Sequence, residues 1–130
     1  MDEQEWLNWG NKFLTETYDP SAGPKLKKYE IMLTSDHFIR LRKTYQHGKQ
    51  EYYSLSVKHL LDMNYIVGAA NTDTLQITTQ ADDIIVQTYN DPKGDVDSMA
   101  TMLNIPVKKT AQPRLDSLRQ VLNLLKAKDL

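Results

Sequence analysis

The chain has 130 residues, of which 40% are hydrophobic and 25% are charged, a size and composition typical of one folded domain. It contains no cysteine, which excludes disulfides, zinc–thiolate centres and cysteine nucleophiles. The formal net charge of −1 excludes the domain-wide basic surface by which proteins bind nucleic acid. We therefore expect residues 1–130 to form a single domain that has no cofactor or metal and does not bind nucleic acid.

The charges are unevenly spread along the chain. Residues 25–49 carry seven basic and two acidic side chains, net +5, whereas residues 62–97 carry seven aspartates and one lysine, net −6. No apolar run is long enough for a transmembrane segment, and the first five residues are acidic where a secretory signal is basic. The chain is therefore predicted to be cytoplasmic, while its oligomeric state stays open.

The first predicted element is an amphipathic helix over residues 1–19, followed by a linker over residues 20–26 that is rich in proline and glycine. Asp2 and Glu5 have the spacing of a capping box at a helix start. On a helical wheel the apolar side consists of Trp6, Trp9 and Phe13 flanked by Leu7 and Leu14, and the polar side of Asn8, Asn11, Lys12 and Thr15.

Residues 27–110 change to the two-residue alternation of β-strands and are predicted to form antiparallel sheet. A short turn at Ser35 and Asp36 joins the first two strands. The second and third strands require a three-residue loop ending at Gly48, because this register places Leu41 opposite Tyr53 and keeps the apolar rows on one face.

The stretch from residue 96 to residue 107 fits two patterns. Val96, Met99 and Leu103 have a loose helical spacing, but alternation from Met99 to Val107 favours a strand, which would be the seventh. A closing helix is then predicted for residues 112–128. It has Pro113 at its start and one apolar stripe, formed by Leu115, Leu118, Val121, Leu122 and Leu125.

Seven strands followed by one amphipathic helix is an order that resembles the pleckstrin-homology-like domain, in particular its divergent bacterial members. Residues 52–62 resemble the third strand of that family and the start of its fourth, and residues 115–125 resemble its C-terminal helix. The resemblance implies an α+β fold: a seven-stranded, partly open antiparallel barrel plugged by the C-terminal helix. The N-terminal helix is extra, and it holds both tryptophans, whereas the plug helix lacks the tryptophan of the family.

The same resemblance implies a phosphoinositide site on the basic row of the second strand. Arg40 and Arg42 match the family's basic-x-arginine pattern, and alternate arginines on a strand can bind phosphates in a forked geometry. The preceding lysine is less well matched, because Lys28 opens its strand rather than closing it. The alternative interpretation is a row of arginines that keeps one sheet face hydrated.

Trp6, Trp9 and Phe13 are the second group of candidate binding residues. We expect this stripe to dock on the sheet of its own chain, with both indoles largely buried. The alternative is that the helix covers a peptide groove or docks on another protein, since tryptophan is common at interface hot spots.

Patterns that suggest chemistry are weak. Ser35, Asp36 and His37 are the residue types of a catalytic triad, but neighbours in a turn point apart and do not converge on one another. Asp91, Asp95 and Asp97 lack the ligand order and closing glutamate of a calcium loop and are interpreted as an acidic turn.

These patterns together predict a non-enzymatic interaction module that binds a protein or peptide partner. The alternative function is binding of a phosphoinositide or another anionic lipid headgroup through Arg40 and Arg42, with peripheral membrane contact. A small enzyme ranks third, because a fold by itself does not determine function.

Overall fold

A computed structural model describes residues 2–129. Helix α1 spans Glu3–Thr17, helix α2 spans Gln112–Lys128, and one 3-10 turn lies at Val57–His59. The strands are β1 (Leu26–Leu33), β2 (Phe38–Tyr45), β3 (Gln50–Ser56), β4 (Leu60–Ile66), β5 (Thr72–Thr79), β6 (Ile84–Tyr89), β7 (Asp97–Ala100) and β8 (Met102–Lys108). All six strand pairs are antiparallel, which confirms the predicted α+β class.

Both predicted helices are present within two residues of their expected ends. The capping box of α1 is confirmed: the Glu5 amide donates to Asp2 Oδ1 at 2.9 Å, and the Asp2 amide donates to Glu5 Oε1 at 3.3 Å. Among residues 2–129, neither helix combines the length and the apolar character that crossing a bilayer requires.

The strands form two sheets that do not close into a barrel. The larger sheet has the order β1-β2-β3-β6-β7, and the smaller has the order β4-β5-β8. The chain leaves the larger sheet after β3, where the 3-10 turn at Val57–His59 redirects it into β4. Consequently β3 pairs with β6 and not with the strand that follows it along the chain.

The predicted count of seven strands is wrong, because the segment expected as one seventh strand is divided between the two sheets. A bend at Thr101 separates β7, which pairs with β6, from β8, which pairs with β5. The bend also changes the phase of the alternation: Leu103 is buried, whereas Met99 is 51% exposed. The helical alternative over residues 96–104 is excluded by the same pairing.

The loop between β1 and β2 and the loop between β2 and β3 follow one geometry. The predicted register is confirmed, with Leu41 opposite Tyr53 and with Gly48 at a φ of 97°. The loop between β1 and β2 is longer than the predicted two-residue turn, because His37 belongs to it and takes the left-handed position at a φ of 67°. A non-glycine residue in this conformation needs support from its surroundings.

The apolar core lies between the two sheets and is closed by both helices. All five residues of the predicted α2 stripe are buried. On α1 the most deeply buried side chains include Leu7 and Phe13, while Trp6 and Trp9 pack against the core at the edge of the buried side. The predicted intramolecular docking of α1 is therefore confirmed, but its centre is displaced from the two indoles.

Polar side chains of the helices cover two sheet edges. Asn11 of α1 donates to the Leu33 carbonyl at 2.6 Å and accepts from the Leu33 amide at 2.8 Å, so its amide group acts as a short strand beside β1. Arg119 of α2 donates to the Met63 carbonyl of β4 at 2.8 Å. These contacts occupy backbone groups at the edges and hinder pairing with another chain there.

Candidate interaction surface

One side of the larger sheet faces away from the core; we call it the outer face. Neither of the described helices packs on it, since α1 contacts β1 and α2 contacts the 3-10 turn. Strand register arranges its side chains in rows across the sheet. One row is Met32, Arg40, Ser54, Ile85 and Met99, and the next is Glu30, Arg42, Tyr52, Gln87 and Asp97.

A groove of about 460 Å³ crosses one end of the outer face; we call it the outer groove. Phe38, Ile85 and Met99 are its large apolar lining residues, and Ser54 and Ser56 line it between them. The two serines are the reason for the depression, because short side chains there stand beside much longer ones. Charged and titratable residues complete the lining: Asp36, Lys58, His59, Asp83 and Asp129.

This groove was not predicted from the sequence, although two of its residues carry a signal. Phe38 adjoins the buried Ile39, and Ile85 adjoins the buried Ile84. In a strand with one buried face, an apolar residue next to a buried one must point to the other face. Such out-of-phase apolar residues therefore mark a second apolar surface.

The three predicted basic residues, Lys28, Arg40 and Arg42, do lie together on the outer face. Their charges are partly compensated there. The Lys28 ammonium is 3.4 Å from Glu30, and the Arg40 guanidinium is 4.0 Å from Asp36. The row is therefore a mixture of both signs and not a uniformly basic patch.

Aromatic rings lie beside both arginines on the outer face. The Arg40 guanidinium lies 5.2 Å from the centre of the Phe38 ring, and that of Arg42 lies 4.9 Å from the Tyr52 ring and 5.9 Å from the Tyr89 ring. These distances are within the range of cation–π contacts. The outer face therefore combines aromatic surface with positive charge.

Trp6, Trp9 and Phe13 lie elsewhere, along the seam between the two helices. Trp9 stacks on Phe13 with ring centres 5.4 Å apart, and Lys128 of α2 lies 5.7 Å from the Trp6 ring. Phe13 is only 2% exposed. This aromatic group therefore joins α1 to the rest of the molecule and is not part of the outer groove.

His37 connects the two ends of the described chain. Its Nδ1 lies 2.8 Å from Asp129 Oδ1, and its Nε2 lies 3.4 Å from Glu3 Oε2. Burial alone lowers the pKa of His37, but hydrogen bonds with the Asp129 and Glu3 carboxylates outweigh burial and raise that pKa above its usual 6.5. The ring forms no hydrogen bond with Ser35 in the described part of the chain, so these triad-type residues do not converge.

A second polar cluster lies at the far end of β2 and β3. Glu51 accepts hydrogen bonds from the hydroxyl groups of Tyr45 at 2.6 Å and Tyr53 at 3.2 Å, and Lys49 lies 3.6 Å from it. Burial is the main cause that raises the pKa of Tyr53 to about 12, and it raises the pKa of Tyr45 as well. Both phenols are therefore neutral hydrogen-bond donors, a structural arrangement rather than one suited to proton transfer.

The aspartates of the loop after β6 serve the loop itself. The Lys93 amide donates to Asp91 at 3.0 Å, and the Asp91 amide donates to Asp95 at 2.9 Å. Within residues 2–129 no group of three or more histidine, aspartate or glutamate side chains is placed to hold a metal ion. The hydrogen bonds show Asp91 and Asp95 accepting from backbone amides of their own loop.

No family model, curated protein or solved structure matches this chain. The resemblance to pleckstrin-homology-like domains thus stays a prediction. The proposed function is therefore based on the surface chemistry of the outer face.

Proposed function

We propose that this protein is a non-enzymatic interaction module that binds a protein partner on the outer face of its larger sheet. The observation that carries the proposal is the outer groove, a depression with large apolar side chains among polar ones, on a sheet face that neither described helix covers. Sheet faces that remain uncovered and carry large apolar side chains are typical of docking sites.

The residue types of the outer face support a protein partner. Methionine, aromatic residues and arginine are enriched in the centres of protein interfaces. Met99 and Met32 are 51% and 38% exposed, and flexible thioether side chains adapt to varied partner shapes. Arg40 stacked on Phe38 combines an apolar surface with charge-assisted hydrogen-bond donors.

The proposal is tested by affinity capture with matched variants. Ile85→Glu/Met99→Glu places two carboxylates in the outer groove. Gln76→Glu/Asn104→Glu adds the same charge to the outer side of the smaller sheet, where these two residues hydrogen-bond each other. We expect proteins captured by the wild type to be retained by the second variant and lost by the first.

Binding of any captured protein is then measured with purified components by calorimetry. Two carboxylates inside an apolar contact should weaken the complex by at least about tenfold, because each would be buried without a partner. Equal affinity of the wild type and the groove variant would contradict the proposal.

The second candidate function is binding of an anionic lipid headgroup at Arg40 and Arg42. One observation favours it: Arg40 Nε has no hydrogen-bond partner in residues 2–129, and because this atom is buried, the side chain would have to turn outward to offer it to an anion. The nearby carboxylates of Glu30 and Asp36 make this candidate the weaker of the two.

Membership of the pleckstrin-homology-like class is also part of the proposal. Two antiparallel sheets followed by the C-terminal helix α2 support it. An experimental structure tests it through the strand order, in particular the pairing of β3 with β6.

A further inference from the structure

Other parts of the chain contact three of the four sheet edges, each at one or two residues. On β1 Asn11 pairs with Leu33, and on β4 Arg119 donates to the Met63 carbonyl. On β8 the residues that follow α1 make the contact: Tyr18 forms a bridge to Val107. Such contacts occupy outward backbone groups and hinder pairing with other chains at those residues.

The fourth edge, β7, has no such cover in the part of the chain that the structure describes. It is the last strand of the larger sheet and pairs only with β6. The Thr88 amide donates to the Val96 carbonyl at 2.9 Å, so Thr88 and Val96 form a hydrogen-bonded pair. Hydrogen-bonded and non-hydrogen-bonded pairs then alternate along β6 and β7. In an antiparallel pair every second residue turns its amide and carbonyl away from the partner, so Asp97 and Met99 direct theirs to the open side.

The outer groove reaches this open edge. Met99 lines the groove and also belongs to β7. An apolar side chain on an added strand would stand beside Met99 and extend the row that contains Ile85. The edge and the groove therefore form one continuous surface.

The charge around the open edge is negative. Asp82 precedes β6, and Asp95 and Asp97 lie at the start of β7; all three are exposed. No lysine or arginine of residues 2–129 forms an ion pair with any of them. Acidic residues lie at both ends of β7, so a basic segment complements this edge along its length.

We infer that the partner adds an extended, basic segment to β7, with its backbone paired to Asp97 and Met99 and an apolar side chain against Met99. This inference rests on the proposed function and specifies the occupant of that surface. Strand addition gives affinity through the main chain, while alternate side chains give specificity.

The inference is tested with short synthetic peptides on the full-length protein. The probe alternates lysine and valine, and a matched peptide alternates glutamate and valine. A third peptide has the lysine–valine sequence with N-methyl groups on the edge that would pair with β7. We expect only the first to bind in fluorescence anisotropy, and we expect it to protect the Asp97 and Met99 amides from hydrogen exchange. Equal binding of the N-methylated or the glutamate peptide would overturn the inference.

Variants at one position separate the backbone from the side chain. Met99→Pro removes the outward amide, and proline is tolerated on an edge strand when its nitrogen faces solvent. Met99→Leu keeps the amide and an apolar side chain. We expect the lysine–valine peptide to bind at least about tenfold more weakly to Met99→Pro, in line with the loss of a backbone hydrogen bond at the edge, and normally to Met99→Leu. Thermal unfolding of each variant confirms that it is folded.

Charge is tested by Asp82→Asn/Asp97→Asn, which should weaken binding of the lysine–valine peptide about three- to tenfold at low salt.

Two further outcomes identify the occupant of the edge. If the wild type self-associates and Met99→Pro does not, a second copy of this chain is the occupant and the inference is overturned. If the purified partner needs the outer groove but leaves the Asp97 and Met99 amides unprotected, strand addition fails while the proposed function stands. If the groove variant binds that partner normally, the proposed function fails.

Discussion

We expect the contacts of His37 to make stability depend on pH near neutrality. Its pKa is raised in the folded state, so its contribution is fully present below the unfolded pKa of about 6.5 and is lost as the pH rises through the folded pKa. We expect the difference in unfolding free energy between the wild type and His37→Asn to be largest near pH 5.5 and to shrink towards pH 8.5 in urea titrations. Asparagine is chosen because it tolerates the left-handed backbone at this position.

Two further variants complete this experiment. Asp129→Asn removes the carboxylate at 2.8 Å and should reduce the same pH dependence. His47→Asn, in the exposed loop between β2 and β3, is the matched control and should leave the pH dependence of stability unchanged. A pH profile of His37→Asn that parallels the wild type would show that this ring does not couple folding to protonation.

The aromatic residues of α1 differ in burial, and this difference can be measured. Phe13 is 2% exposed, whereas Trp6 packs against the core from its edge. We expect Phe13→Ala to cost about 3–5 kcal/mol of unfolding free energy, the usual range for a buried large aromatic residue. Trp6→Ala should cost less, about 1–3 kcal/mol, because less apolar area leaves water. Both values are measured by urea unfolding.

The larger side chain is thus expected to matter less than the smaller one. Equal costs, or a greater cost for Trp6→Ala, would show that the indole is the true anchor of the helix. A change in elution volume without a change in stability would instead place Trp6 at an interface with another chain.

At the scale of elements, a single amide joins α1 to the edge of β1. Asn11→Ala leaves the Leu33 amide and carbonyl without their partner, and we expect a loss of about 1–3 kcal/mol. Asn8→Ala, an exposed change on the same helix, is the control and should stay within about 0.5 kcal/mol. Urea unfolding of both variants measures the difference, and similar values for the two would contradict this role of Asn11.

The wheel placed Asn11 on the polar side of the helix, together with Asn8. Helical spacing places Asn11, four residues after Leu7, nearer to the apolar side than Asn8, but it does not show which group Asn11 contacts. Asn11 became a structural residue because Gly10 beside it permits close approach: a Cβ atom at Gly10 would lie 2.7 Å from Leu33 Cδ2. The contact between α1 and β1 therefore assigns the role, and the helical periodicity cannot.

At the scale of the whole molecule, the basic block of the sequence lies on the larger sheet, whereas the acidic block is spread over both sheets. The basic block, residues 25–49, includes β1 and β2. The acidic block, residues 62–97, runs from β4 and β5 of the smaller sheet to the segments that flank β6 and to the start of β7. The larger sheet therefore carries charges of both signs. We expect no flotation of the wild type with phosphatidylserine-containing vesicles at physiological salt, where exposed charges are screened beyond about 8 Å.

Arg40→Ser/Arg42→Ser should then cost about 1–2 kcal/mol of unfolding free energy, because both half-buried side chains lose their cation–π contacts. Lys108→Ser/Lys109→Ser removes the same charge from the smaller sheet's side of the molecule and serves as the control. If the wild type and the lysine variant float with the vesicles and the arginine variant does not, this result would favour the lipid-binding candidate over a protein partner.

Local patterns were sufficient for the helices, the capping box and the hairpin between β2 and β3. Each depends on residues close in sequence: Asp2 with Glu5, and Gly48 with the strands that flank it. The basic row on the outer face was predictable for the same reason, since alternation along one strand decides which side Arg40 and Arg42 share.

Tertiary structure alone decided the rest. The bend at Thr101, the pairing of β3 with β6 and the contact of His37 with Asp129 join segments that are distant along the chain. Periodicity reports which side of a strand is apolar, but it does not report which strand lies beside it or where an edge stays open. The uncovered edge of β7 and the outer groove follow from those pairings, and so does the site proposed here.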